Sequence, residues 1–276
     1  MAKLTNAYIT FQELDEIILL LNNISDYDLS GYSKSSLKRR VQRIMALEKM
    51  DIVDLKNAIT NIEGFQTFLM NEITVNVTEM FRDPDYYTAL RTEVFPYLET
   101  FPRIKLWSAG CSTGEEVYSL AILLSEANLY DRSFIYGTDI NGQVIETAKK
   151  AIYPLKNIKL YTENYIATTG ANSLSTYYTA MYDAAIFNQQ IRKNILFSQH
   201  NLATDSIFNE FQFISCRNVL IYFDPELQKK VLNLLYNSLS EFGFLCLGSK
   251  EKLLYSDLRA KFKLVNRDFN IYQKIK

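Results

Sequence analysis

Histidine is nearly missing from this chain. His200 is the only one in 276 residues, and the three cysteines, Cys111, Cys216 and Cys246, stand far apart with no Cys-x-x-Cys pair. A zinc site therefore has no ligand set, and no metal is expected. An odd number of cysteines flanked by apolar sequence reads as buried, reduced thiols of a cytoplasmic protein. No apolar run approaches the ~18 residues of a membrane span. The start of the chain lacks a basic segment followed by a hydrophobic stretch and cleavage site, so neither export nor membrane insertion is expected. A formal net charge of -1 gives the whole chain no bias toward a polyanion, so any charged-partner argument must be local. What remains is a soluble-type composition, 48% hydrophobic and 22% charged, long enough for one large domain or two ordinary ones.

The most informative stretch is Ile104 to Leu124: Ile-Lys-Leu-Trp-Ser-Ala-Gly-Cys-Ser-Thr-Gly-Glu-Glu-Val-Tyr-Ser-Leu-Ala-Ile-Leu-Leu. It reads as a strand (104 to 108), a small-residue loop (109 to 114) and a helix opening on Glu115 and Glu116. Strand, loop and helix N-terminus form the ligand turn of a nucleotide-type α/β domain. Two acids at the helix start would repel a pyrophosphate, and the Gly110-x-x-x-Gly114 spacing is not the dinucleotide fingerprint. A cofactor carrying an ammonium and a sulfonium, such as S-adenosylmethionine, suits those acids. A plain capped helix start, with Ser112 or Thr113 as N-cap, accounts for the same residues. A second strand, Ser133 to Thr138, ends on Asp139, placed to accept ribose hydroxyls or to cap the following helix, 143 to 152.

Ahead of this domain, residues 1 to 73 carry almost no strand pattern. Phe11, Leu14, Ile17, Ile18 and Leu21 recur at helical spacing, as do Leu37, Val41, Ile44 and Met45 within a helix over 33–50. That second helix holds Lys34, Lys38, Arg39, Arg40, Arg43 and Lys49 against one acid, Glu48. It is either a solvated face or a docking surface for an acidic partner. Segments 51–58 and 64–73 complete a helical bundle. An interdomain segment, Thr-Val-Asn-Val-Thr-Glu-Met-Phe-Arg (74–82), precedes Asp83-Pro84, a helix start with Asp83 as cap, and a linking helix from 85 to 98.

Beyond the second strand, the tyrosine-rich runs of 161–194 suggest a small inserted antiparallel β-subdomain. Strands are expected at 195–198 and 211–215, the first followed by His200 as a structural histidine. The second is followed by Cys-Arg-Asn-Val-Leu-Ile-Tyr-Phe, which puts Arg217, Asn218 and Tyr222 toward the ligand end of the sheet. A helix over 225–240, a strand at 244–247 and a closing hairpin (261–265, 269–275) follow. The domain 99–276 is thus an α/β, Rossmann-like sheet preceded by an all-α domain.

Five segments in order, 74–82, 107–119, 137–140, 200–202 and 216–223, resemble the CheR family of chemotaxis-receptor protein-glutamate O-methyltransferases, and the resemblance covers essentially the whole chain. It implies a methyltransferase sheet that uses S-adenosyl-L-methionine and releases S-adenosyl-L-homocysteine. It matches Asn76, Thr78, Arg82, Gly110, Glu116, Asp139, Asn201, Leu202, Arg217 and Asn218 to cofactor contacts. Arg82 is expected to orient the acceptor carboxylate and Tyr222 to line the methyl-transfer channel. The basic helix, through Lys38, Arg39, Arg40 and Arg43, is expected to face a protein partner, the acidic helical cytoplasmic region of a receptor, with the enzyme monomeric. Members commonly have proline where Val117 stands and phenylalanine where Met80 stands, and the inserted hairpin lacks the glycine turn of members that dock a receptor's terminal peptide. A nucleic-acid methyltransferase is disfavoured because Ser-Cys-Arg-Asn occupies the place of an (Asp/Asn)-Pro-Pro-aromatic turn. A non-catalytic cofactor-binding scaffold is the other alternative.

Overall fold

The structure, a computed structural model, describes residues 8–24, 28–74, 76–171, 173–253 and 255–275. Val75, part of the interdomain motif, lies outside the described residues. The chain divides into two compact units: 1–75 with Ile221–Lys230, and Asn76–Leu220 with Val231–Lys276.

The first unit is built on helices Phe11–Ile24, Lys34–Glu48, Ile52–Asn61 and Phe65–Ile73. Their apolar stripes meet in one core in which Leu14, Leu21, Met45, Leu55, Ile59 and Leu69 are fully buried. Asp51 starts the third helix as a capping box with Asp54. Phe11, expected on the buried face, is instead 52% exposed, and its ring lies under the Lys38 ammonium at 4.6 Å. The segment 221–230 joins this unit through two backbone bonds, Ser33 N–H to the Tyr222 carbonyl and Asp224 N–H to the Gly31 carbonyl. Phe223 packs edge-on against Tyr32. Sequence periodicity gave no sign of this return.

The second unit is an α/β sheet. Its strands are β1 (Ile104–Ala109), β2 (Ser133–Asp139), β3 (Ile152–Pro154), β4 (Tyr178–Met181), β5 (Ala184–Phe187), β6 (Ile195–Gln199), β7 (Phe211–Cys216), β8 (Leu239–Leu247), β9 (Phe262–Asn266) and β10 (Ile271–Lys274). Seven form the main sheet in the order β6-β2-β1-β7-β8-β10-β9, parallel except for β10, which runs antiparallel to both of its neighbours. The order reverses between β1 and β7, and a ligand crevice is expected at the carboxyl ends of those strands. The second sheet, β3-β5-β4, is antiparallel. Its first strand comes from ahead of the expected insertion, and the helix Leu155–Thr169 runs into the residues expected to form it.

The linking helix also differs from expectation. It runs Pro84–Ala89, widens into a π-helical turn over Leu90–Val94 and resumes at Phe95–Leu98. Pro96 explains the widening, since it has no N–H for the carbonyl four residues back and its ring crowds that turn. Asp83 precedes this helix in a left-handed conformation but makes no side-chain cap.

Gly110 (φ +77°) and Gly114 (φ +91°) are both needed in the loop after β1. A Cβ on Gly110 would lie 2.3 Å from Val219 Cγ2, whereas one on Gly170, also left-handed, would meet nothing within 4 Å. Gly110→Ala is expected to cost about 2–4 kcal/mol, combining left-handed strain and a forced shift of Val219. Gly170→Ala should cost only the backbone part, about 1–2 kcal/mol. Chemical denaturation of both variants checks this, and equal losses would contradict the close packing of the loop on Val219.

Candidate functional site

The loop after β1 is knitted to the end of β2 before any ligand is considered. Gly110 and Cys111 both donate their N–H to the Thr138 carbonyl at 2.8 Å, and Trp107 Nε1 donates to Thr138 Oγ1. Ser112, left-handed at φ +50°, donates its N–H to Asp139 Oδ2 at 2.9 Å. The other oxygen of Asp139 accepts the Asn141 N–H at 3.0 Å, and Asn141, not Asp139, caps the following helix. Each Asp139 oxygen keeps a further lone pair for a ligand hydroxyl. Burial is the main cause that raises the Asp139 pKa above the ordinary range, opposed by these backbone bonds.

The two neighbouring acids divide their roles. Glu115 is buried, accepts the Thr113 hydroxyl at 2.6 Å and the Tyr161 hydroxyl at 3.2 Å, and has its pKa raised by burial. It serves the fold. Glu116 accepts the Ser108 hydroxyl at 2.8 Å and lies 3.9 Å from Arg217 Nη1. The helix they open is capped by Gly114, with no side-chain cap from Ser112 or Thr113.

Across the crevice, the turn after β7 presents Arg217 and Asn218. The Arg217 guanidinium lies 3.8 Å from the Tyr86 ring centroid and pairs with Asp83 Oδ2 at 2.6 Å. Its side chain is 5% exposed. Burial alone would lower its pKa, but the surrounding Tyr86, Glu116, Tyr87 and Asp83 outweigh that and hold the cation firmly. Asp83, read from sequence as a helix cap, is therefore an ion-pair partner 134 residues away in the chain.

The segment before Asp83 enters the same unit. Phe81 N–H donates to Ser119 Oγ on the helix that follows the loop, and Asn76, Thr78 and Arg82 are half-buried. Arg82 has no hydrogen bond or ion pair among the described residues. Phe81, Asp83, Ser112 and Asn218 all have positive φ. Non-glycine residues pay of order 1–2 kcal/mol each for that conformation, and such strain gathers at functional sites.

After β6, His200 N–H binds the Asp139 carbonyl. Its ring lies among Trp107 and Phe208, and burial lowers its pKa. Asn201 Oδ1 accepts the Ala203 N–H, Leu202 is buried, and Asn201 Nδ2 is a buried donor with no partner among the described residues. Ser112 Oγ is similarly unpaired. These two orphaned atoms, the carboxylates Glu116 and Asp139, and a loop that brings backbone close fit a hydroxyl-rich, cationic nucleoside cofactor better than a pyrophosphate.

Tyr222 falls in the helical unit, where the Arg40 guanidinium stands 5.7 Å from its ring. Sequence reasoning missed Asp83 and Tyr86 as the residues against Arg217, and Ser108 as the donor to Glu116. A cavity of about 360 Å³ adjoins Arg217 and Asp83, lined also by Ser249, Asp268 and Phe269. Among the described residues no three or more His, Cys, Asp or Glu gather in a group that could hold a metal ion, and no helix is long and apolar enough to cross a membrane.

The family model described as "CheR methyltransferase, SAM binding domain" matches residues 76–270. A protein of Pseudomonas putida described as "Putative methyltransferase Cher3" is 44% identical over 265 residues, spanning 94% of this chain and 96% of its own. A chemotaxis protein methyltransferase of Listeria monocytogenes is 30% identical over 239 residues, 82% of this chain and 85% of its own. One of Vibrio parahaemolyticus is 32% identical over 218 residues, 75% of each.

Protonation of Asp139 would turn an accepting oxygen into a donor and remove an acceptor from the ligand side. Affinity for S-adenosylhomocysteine should therefore weaken as pH falls, beginning above the ordinary aspartate range near ~3.9. The stability term has the opposite sign. A carboxyl whose folded pKa is raised favours the folded state more as pH falls through that pKa, so weakened binding should not reflect acid unfolding from this group. Asp139→Asn should lose roughly tenfold or more in affinity, the worth of a charge-assisted hydrogen bond, and flatten the profile. Calorimetric titration between about pH 4 and about pH 8 reads both, spanning the range from an ordinary aspartate upward. A flat wild-type profile would rule out the ionised-acceptor role.

Proposed function

The chain belongs to the CheR methyltransferase family, with S-adenosylmethionine as its cofactor, and from that premise we propose that it forms methyl esters on glutamate side chains of a partner protein. The single observation that carries this reading is the state of the charges. Glu116, Asp139, Asp83 and Arg217 are all engaged by the protein itself, while half-buried Arg82, next to Asp83 in the chain, is unpaired among the described residues. A guanidinium left without a partner suits an incoming carboxylate, which it can bind in bidentate fashion.

When bound, the cofactor supplies a methyl group on a sulfonium. The residues that would hold it are Asn76, Thr78, Gly110, Glu116, Asp139, Asn201, Leu202, Arg217 and Asn218. Glutamate needs no general base, because with a solution pKa near ~4.3 it is already ionised at neutral pH. The protein has to position it and strip its water, since transfer between opposite charges gains from a drier site and an in-line approach. Arg82 does the positioning in this reading.

The partner is an acidic helical surface, as on a receptor's cytoplasmic region. The helix Lys34–Glu48 supports this through two of its cations. Lys38 lies over the rings of Tyr8 and Phe11, and Arg40 faces Tyr222, so both serve the bundle. Arg39 and Arg43, one turn apart, are exposed. Burial chiefly, with a smaller repulsion from Arg39 and Arg43, lowers the Arg40 pKa.

The test is to incubate the protein with methyl-labelled S-adenosylmethionine and a purified receptor cytoplasmic domain, then measure base-labile label released as methanol. Base-labile transfer supports glutamyl esters, and its absence alongside intact S-adenosylhomocysteine binding would leave a non-catalytic cofactor-binding scaffold. Arg82→Ala should lower turnover by about a hundredfold, the scale of a misplaced reactant, with cofactor affinity changed far less. Parallel loss of both would make Arg82 a cofactor ligand only. Tyr222→Phe tests the expectation for Tyr222 by the same two readouts. Charge reversal of Arg39 and Arg43 should raise the KM for the protein substrate while leaving S-adenosylhomocysteine affinity intact.

A further inference from the structure

Glu251 has no place in the site as read from sequence, yet it is 4% exposed, and a buried carboxylate requires a reason. Its Oε2 accepts two backbone N–H groups, Asn218 at 2.8 Å and Gly248 at 2.7 Å. The first belongs to the turn after β7 and the second to the turn after β8. Parallel strands β7 and β8 run side by side to the pairs Ser215 with Cys246 and Cys216 with Leu247. Immediately beyond, the ladder ends and two amides are left without carbonyls to take them. One carboxylate oxygen serves both.

The junction is tight and held from the far side. Glu251 N–H returns to the Gly248 carbonyl at 2.9 Å, and Asn270 Nδ2 donates to the same carbonyl at 2.9 Å. A Cβ on Gly248 would fall 2.6 Å from Glu251 Oε2 and 2.8 Å from the Asn218 nitrogen. Asn218 is left-handed at φ +62°, a conformation that must be over-determined by its surroundings to persist. The carboxylate supplies that constraint.

We propose that Glu251 is a positioning residue for the cofactor: its carboxylate fixes the left-handed Asn218 turn, and through it the Arg217–Asn218 pair, in the geometry that accepts S-adenosylmethionine. The inference rests on Arg217 and Asn218 being cofactor contacts. Asp139 does the equivalent work on the opposite side of β1 through Ser112 and Asn141. The crevice is thus bounded by two acids that each clamp two backbone amides. Asp139 is also placed to touch the ligand, whereas Glu251 acts only through the turn.

Calorimetric titration of the full chain with S-adenosylhomocysteine tests this. Glu251→Ala should weaken binding by about tenfold or more, the cost of leaving two buried amides unpaired at the site. Glu251→Gln should stay within about threefold of wild type, because its carbonyl oxygen accepts both amides. Glu251→Asp keeps the charge but withdraws the oxygen by one methylene, so it should fall with the alanine variant. It also serves if the alanine variant does not fold. Gly248→Ala, which crowds the same junction, should lose affinity too, while Gly170→Ala, a destabilising change elsewhere, should not. Wild-type affinity in folded Glu251→Ala or Glu251→Asp, or a glutamine variant as weak as alanine, would overturn the proposal. Failure of wild type to bind would instead remove the cofactor contacts on which it rests.

Discussion

A parallel sheet whose strand order reverses leaves backbone amides at its carboxyl edge with no strand to receive them, and the molecule answers with buried carboxylates. Asp139 takes Ser112 and Asn141, and Glu251 takes Gly248 and Asn218. Each arrangement costs the desolvation of an acid and recovers it through charge-assisted bonds to backbone. Everything at the site depends on it. The loop after β1 is held at one end by the Thr138 carbonyl and at the other by Asp139, and the Arg217 turn has Glu251 behind it.

The same logic extends to the cation. Arg217 is nearly buried, stacked on Tyr86 and paired with Asp83, and those neighbours offset the desolvation of its charge. Its partner Asp83 is left-handed, as are Phe81, Ser112 and Asn218. Local strain at several turns is therefore offset by ion pairs and amide bonds that reach across the fold. Rigidity at the site is a property of the unit as a whole, since no one of these turns would hold its shape alone.

Much of this was legible in the sequence because it is local. Strand, glycine loop and acidic helix start lie within 21 consecutive residues, and period-2 and period-3.6 patterns placed most strands and helices of both units to within a few positions. What the sequence hid is long-range. Asp83 looks like a cap because Pro84 follows it, and nothing in its neighbourhood announces Arg217. Glu251 sits in a polar run, Gly-Ser-Lys-Glu, that reads as an ordinary surface turn. Glu115 and Glu116 are indistinguishable as letters, and only the 100° step of the helix sends one to Tyr161 and the other to Ser108. The first strand of the small sheet, Ile152–Pro154, is three residues long, too short for periodicity to mark.

The return of Ile221–Lys230 to the helical unit bears on how such a protein can be taken apart. The chain crosses between units at 75/76, 220/221 and 230/231, so the helical unit is discontinuous. The family match begins at residue 76 and includes this ten-residue excursion. The edge of the family match and the division in packing are therefore different cuts. A fragment trimmed to the first would carry Tyr222, Phe223 and Asp224 without Gly31, Tyr32 and Ser33, their partners. A helical unit cut after residue 75 would in turn lack the segment 221–230 that belongs to its packing.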